Sequence, residues 1–211
     1  MEVTSLASLD PYGSYTYRDY LSWRFAGRVE IILGKIFPMS PAPQTQHQHC
    51  LMSLASRFFT QFHGTCHVFP SPFDVILTHD GDYDNAQTII QPDITVVCDG
   101  RKLKQRGCFG APDLVVEIIS PSTVKRDLHE KMSLYEEFGV REYWIVHPRD
   151  RTLVIHSPGQ DGRYVPSRMM TSGDIVRSRI FPELEIEAGI VFTDIVEEPE
   201  GWYGENVVRI G

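Results

Sequence analysis

The chain has 211 residues, 42% hydrophobic and 23% charged, with a formal net charge of −8. That length suits one well-packed domain with peripheral hairpins, and the composition excludes a broadly disordered chain. The acidic balance argues against non-specific wrapping of nucleic acid, which draws on Lys and Arg, and leaves room for a local basic patch.

Residues 14–25, with Tyr15, Tyr17, Tyr20, Trp23 and Phe25, predict a short N-terminal helix. Arg28 to Ser40 reads as two strands turning near Gly34, with Glu30 on the first. Pro41 and Pro43 break the chain. A helix is then expected from about Gln46 to Phe62, where Leu51, Leu54, Ala55, Phe58, Phe59 and Phe62 recur at helical spacing. Strands follow at Cys66–Phe69, Phe73–Leu77, Thr88–Val97 and Leu114–Ile119, with the turn-rich HDGDYDN segment at 79–85 between two of them. After Ser120-Pro121-Ser122-Thr123 a second helix should run to Phe138, started by a hydroxyl cap and stopped by Gly139. Glu142–His147 and Thr152–His156 predict a hairpin, and further short strands are expected near Tyr164 and Leu184–Ile186. The order predicts a mixed α/β (α+β) domain over residues 1–195, with a central sheet, flanking helices and extra N-terminal and C-terminal hairpins. A polar tail is expected at 196–211.

No apolar stretch reaches the roughly 18 residues of a membrane span, and the opening MEVTSLASLDPYG has neither a basic n-region nor an apolar core, so the expected location is cytoplasmic. Cys50, Cys66, Cys98 and Cys108 form no C-x-x-C pair; four reduced thiols are expected. Arg101, Lys102, Lys104 and Arg106 lie between Gly100 and Gly107 and read equally as a solvated loop or a phosphate-contacting surface.

Glu117 is the most informative residue. It interrupts the apolar run Leu114-Val115-Val116-Glu117-Ile118-Ile119, whose uniformity predicts a strand buried on both faces. A carboxylate there must be neutral, paired with a cation or coordinating a metal ion. Asp93 and Asp113 both follow a proline and precede an apolar run. Asp113 is four residues from Glu117 on one strand, roughly 13 Å at about 3.3 Å per residue, whereas strands neighbour at about 4.8 Å, which favours Asp93 as the partner. Two converging carboxylates repel when ionised, and a hard divalent cation such as Mg²⁺ relieves that repulsion. The alternative is a carboxylate satisfied by backbone amides or by a lysine. Lys131 shares a helical stripe with Leu128, Tyr135 and Phe138, so it either reaches the sheet's carboxylates or braces the helix through Asp127. His47 and His49 are two apart, poor spacing for one metal on a helix; His47 can still approach a site from the helix start, but capping or surface exposure is expected of both.

The sequence resembles the Uma-type restriction endonuclease family, whose members share the PD-(D/E)XK nuclease fold. The likeness rests on Gln91-Pro92-Asp93-Ile94, on the run from Gly110 to Thr123 that contains Glu117, and on Asp127, Lys131, Tyr135, Gly139-Val140 and Arg141 to Val146. Val29 to Ile36 and His47-Gln48 extend it upstream. The resemblance implies a sheet flanked by helices, and a site in which Asp93, Glu117 and the main-chain carbonyl of Ile118 bind Mg²⁺ or Mn²⁺ for hydrolysis of DNA phosphodiesters. It also implies that Glu30 adds to that site. The motif's usual lysine, two residues after the glutamate, is replaced here by Ile119, and Lys131 is the candidate to supply it from the neighbouring helix. The family more often has Asp where this chain has His147. The implied partner is DNA and no membrane, with a homodimer expected by analogy with enzymes that cut two strands. The competing reading is a catalytically silent nuclease-fold protein that binds DNA or a protein partner.

Overall fold

The computed structural model describes residues 2–39, 44–119 and 130–193. In chain order these form α1 (Tyr17–Ser22), β1 (Val29–Ile32), β2 (Lys35–Pro38), α2 (Thr45–Gln61), β3 (His67–Pro70), β4 (Val75–Leu77), β5 (Thr88–Ile90) and β6 (Ile94–Val97). They continue as β7 (Leu103–Lys104), β8 (Gly107–Phe109), β9 (Leu114–Ile118), α3 (Met132–Glu137), β10 (Glu142–His147), β11 (Thr152–Pro158), β12 (Tyr164–Pro166), β13 (Ile175–Arg177), β14 (Glu185–Glu187) and α4 (Ala188–Val191). The start of the second long helix predicted from sequence, with its cap at 120–123, Asp127 and Leu128, lies outside the described residues, as does the tail.

The architecture is mixed α+β, as the element order predicts, but its strands divide between two large sheets rather than one. One runs β2-β1-β5-β4-β8-β7, the other β12-β11-β10-β9-β6-β3, and β13 pairs with β14 alone. The N-terminal hairpin is therefore one edge of a six-stranded sheet. The split falls inside the stretch Thr88–Val97, predicted as one strand. Ile89 pairs with Ile31 in the first sheet and Ile94 with Val116 in the second. Pro92 lies between them, and a residue with no N–H that also restricts its predecessor cannot continue a ladder. The chain changes sheets at Gln91-Pro92-Asp93.

At the N-terminus, α1 is shorter than predicted. A capping box of Thr16 and Asp19 starts it, and Trp23 leaves the helix to bridge Val3. The β1–β2 turn places Leu33 and Gly34 both at positive φ (49° and 78°), the geometry that matches strand twist in a two-residue hairpin. A side chain on Gly34 would lie 2.3 Å from Ser14 Oγ.

The centre of the second sheet is β9, parallel to β10 and antiparallel to β6. Leu114, Val116 and Ile118 pack with Leu54 and Phe58 of α2, Trp144 of β10 and Phe181. Val115 and Ile119 pack on the opposite side with Val75, Ile90, Leu134 and Tyr135. The strand is buried on both faces, and Glu117 falls on the side of Val115 and Ile119.

Four reduced thiols are not what the structure holds. The β3–β6 register pairs His67 with Val97, which sets Cys66 and Cys98 opposite each other with Cα atoms 4.1 Å apart, and the two are joined in a disulfide. Their separation of 32 residues hides a pairing that only cross-strand register creates. Cys50 and Cys108 are free and buried, and burial pushes both thiols up to about 12.

Glu142, at the start of β10, is fully buried. It accepts from Trp144 Nε1, from Ser178 Oγ at 3.1 Å, and from the N–H groups of Arg179 and Ile180 at 2.8 and 3.2 Å, tying the β13–β14 connection to the sheet. Glu142→Ala is expected to lower the unfolding free energy by about 3 kcal/mol, because several buried donors lose their acceptor at once. Urea denaturation measures this, and a loss under about 1 kcal/mol would mean that water replaces the carboxylate.

Burial holds the imidazoles of His147 and His156 below their usual 6.5. The unfolded chain therefore takes up protons first as pH falls. The stability tied to these neutral rings is complete above about pH 6.5 and is lost progressively below it. Between about pH 7.5 and 5.5 the urea midpoint of the wild type should fall more than that of a His147→Asn/His156→Asn variant. Equal falls would place the titrating groups elsewhere.

Candidate functional site

Four segments meet at the place where the chain crosses between sheets. β1 brings Glu30, the crossing brings Gln91 and Asp93, β9 brings Glu117, and the turn leading into α3 brings Lys131, with Tyr135 one helical turn further on. The pairing of Ile94 with Val116 puts Asp93 beside Glu117 in register, while Asp113 sits at the other end of β9. There Asp113 accepts from the Cys98 N–H at 2.8 Å and pairs with Arg141 at 3.0 Å.

Lys131 is 2% exposed, and its Nζ lies 2.8 Å from Glu117 Oε1 and 2.9 Å from Glu30 Oε1. Glu30 is wholly buried and Glu117 nearly so. The Tyr135 hydroxyl donates to the same Glu117 oxygen at 2.6 Å. Burial first, and the Glu117 charge second, hold the Tyr135 phenol well above its ordinary value, so it remains a donor at any physiological pH. Glu30 Oε1 also accepts the Gln91 main-chain N–H at 2.9 Å. Of the two roles open to Lys131, the structure gives it the reach to the sheet; its alternative partner, Asp127, is outside the described residues.

Asp93 uses both carboxylate oxygens. β6 begins at Ile94, so the Ile118 N–H has no β6 carbonyl to meet, and Asp93 Oδ2 accepts it at 2.7 Å. Oδ1 lies 3.1 Å from His47 Nε2, on the first turn of α2. Ile118 thus meets Asp93 through its N–H, the main-chain group adjoining the carbonyl expected as a ligand. For His47 the sequence favours a cap or the surface over an approach to a site from the helix start, and the structure shows the approach. Tyr135 is not singled out by sequence as a site residue, although its spacing of four from Lys131 on the core-facing stripe is the available signal.

Among the described residues, the carboxylates of Glu30 and Glu117 converge on the Lys131 ammonium in this buried cluster, with Asp93 beside Glu117 in the register. Among the described residues no three His, Cys, Asp or Glu side chains are grouped to hold a metal ion by themselves. The oxygen donors of Asp93 and Glu117 nevertheless suit a hard cation such as Mg²⁺, which commonly takes one or two carboxylates and completes its shell with water and substrate phosphate.

The family model described as "Uma2: Putative restriction endonuclease" matches residues 17–189. The chain belongs to the Uma2 family. The match spans every residue of the cluster. The protein slr1290 of Synechocystis sp., itself uncharacterized, is 26% identical over 159 residues, covering 74% of this chain and 80% of its own length. A crystal structure of a "putative nuclease belonging to DUF820" from Anabaena variabilis superposes with a TM-score of 0.67 at 20% identity, covering 84% of this chain and 97% of that one, so the two share a fold.

The four cations of the basic run differ in their partners. Arg101 pairs with Asp99 at 2.8 Å, holding that carboxyl down at about 2, and Lys102 Nζ donates to the Ala111 carbonyl at 2.7 Å. Lys104 is exposed on β7, while Arg106 borders a cavity under α1. No described helix is long and apolar enough to cross a membrane.

Lys131→Met is expected to destabilise the protein by about 3–5 kcal/mol, since removing one member of a buried ionic cluster leaves the others uncompensated. In urea denaturation, Glu30→Gln/Lys131→Met should lose less than the sum of the two single variants. Simple additivity would show that Glu30 and Lys131 do not interact.

Proposed function

We propose that the chain is a divalent-metal-dependent endodeoxyribonuclease, with Asp93, Glu117 and the Ile118 carbonyl holding Mg²⁺ or Mn²⁺. The observation that carries this reading is the ammonium of Lys131, 2.8 Å from Glu117 Oε1. It delivers from the helix side the cation that the strand itself lacks, because the position two residues after the glutamate is Ile119, buried in the apolar cluster. Membership of a family described as restriction endonucleases supports DNA as the substrate.

In this reading the Lys131 ammonium bridges Glu30 and Glu117 in a site that water barely reaches. Tyr135 fixes the orientation of Glu117 through a second bond to Oε1, and the Ile118 N–H with His47 does the same for Asp93. Asp93, Glu117 and the Ile118 carbonyl would hold the divalent ion, which when bound would supply Lewis-acid chemistry for phosphodiester hydrolysis. A homodimer would let two such sites address the two strands of a duplex.

A specific observation favours the silent alternative: Glu117 Oε1 is already satisfied by Lys131 and Tyr135, as expected for an acid serving only to hold the sheets together. Plasmid cleavage in Mg²⁺ and in Mn²⁺ separates the two. Asp93→Ala and Glu117→Ala are expected to lower the rate by about 100-fold or more while circular dichroism shows the fold retained. Metal binding and DNA binding without turnover in the wild type would establish the silent protein.

A further inference from the structure

A cavity of about 330 Å³ opens between α1, β1 and the segments that carry Asp74 and Arg106. It is at the small end of the roughly 300–1,000 Å³ typical of small-molecule sites, room for one nucleotide-sized ligand. Its aromatic wall holds Trp23 and Phe25 stacked at 5.6 Å with planes 28° apart, and Tyr20 edge-on to Trp23 at 5.8 Å. Three exposed arginines contribute to its lining: Arg24, whose Nε lies 3.6 Å from Glu2, Arg28, which donates to Ser71 Oγ at 3.3 Å, and Arg106. In a chain of net charge −8, three arginines against one aspartate beside an aromatic wall are a local reversal of sign, and Arg28 and Arg106 are the two of the three not paired with a carboxylate by a salt bridge among the described residues.

Asp74 completes the lining. Tyr20 Oη and Gln91 Nε2 both donate to Asp74 Oδ1, at 3.3 and 2.7 Å, and among the described residues its Oδ2 accepts no hydrogen bond. An aromatic face, a carboxylate acceptor and a pair of arginines match the three parts of a nucleotide that carries an amino group: the base plane, the exocyclic amine and the phosphate. The cavity is also wired to the acidic cluster, because Gln91 joins Asp74 through its side chain and Glu30 through its main-chain N–H.

We propose that this cavity binds a single unstacked nucleotide, its base against Tyr20, Trp23 and Phe25 and its phosphate on Arg28 and Arg106. The site is separate from the carboxylates of the cleavage reading and does not depend on it. The nucleotide is either free in solution or one residue of a single strand.

The test is titration of the full chain with dAMP, with a single-stranded oligodeoxynucleotide and with a blunt duplex of the same length, followed by calorimetry. Saturable binding of dAMP or of the single strand is expected, weakened about five-fold or more by Arg28→Gln and by Arg106→Gln, both at exposed positions where folding should be unaffected. Binding of dAMP identifies a free nucleotide as a source, and binding of the single strand alone identifies an unstacked residue within a chain. Glu117→Gln should bind either probe as the wild type does, so a dead cleavage site would leave this result intact. No binding of either probe overturns the proposal, as does binding indifferent to the two arginines or as strong for the blunt duplex.

Discussion

The ammonium of Lys131 lies between a carboxylate from each of the two large sheets, Glu30 on β1 and Glu117 on β9. Apolar packing brings the sheets together without fixing their relative position to within an ångström, because burial is non-directional. A charge shared at 2.8 and 2.9 Å is directional. It works only if β1, the crossing at Pro92, β9 and the approach to α3 all arrive where they do, so the geometry of the acidic cluster and the mutual placement of the sheets are one constraint. Desolvating three charged groups is costly, and such clusters are weak evidence for stability as such. Their value here lies in specifying one arrangement.

Two buried glutamates in the same sheet show how differently that cost can be met. Glu142 is surrounded by an indole, a hydroxyl and two main-chain N–H groups, and among the described residues no cation is bonded to it. Those donors are fixed by the fold and spread the charge, as expected of an acid with a structural task. Glu117 is held instead by a lysine that it shares with a second acid and by one phenol. Beside it lies a third carboxylate, Asp93, which among the described residues meets a main-chain N–H and an imidazole. A titratable side chain from a separate segment thus meets each of these two acids, which sets the site apart from Glu142.

Much of this was legible in local sequence. The unbroken apolar run around Glu117 specified a strand buried on both faces, strand spacing put Asp93 and not Asp113 beside it, and the helical stripe pointed Lys131 inward. What could not be read depends on register between distant segments. Thr88–Val97 is apolar on both faces whether it serves one sheet or two, and only Pro92 hints at the break. Cys66 and Cys98 become partners only once β3 and β6 are aligned, and His47 meets Asp93 only because α2 packs across that sheet. The buried role of Glu142 was hard to read locally, since all its donors but Trp144 come from residues 36 to 38 positions later.

Charge distribution bears on how an acidic protein could approach a polyanion. With a net charge of −8 the long-range field opposes association, so cations confined to within about a Debye length of the contact must supply any attraction. In the basic run from 101 to 106, Arg101 is paired with Asp99, whereas Lys102 keeps its charge beside a neutral carbonyl. Arg106 lines the aromatic cavity beneath α1. The same region is joined through Gln91 to Glu30, and so to the ammonium that aligns the sheets. A ligand that moved Asp74 would therefore pull on Gln91, whose main-chain N–H is one of the bonds positioning Glu30, and two sites that share a hydrogen-bonded residue in this way have a physical route for coupling.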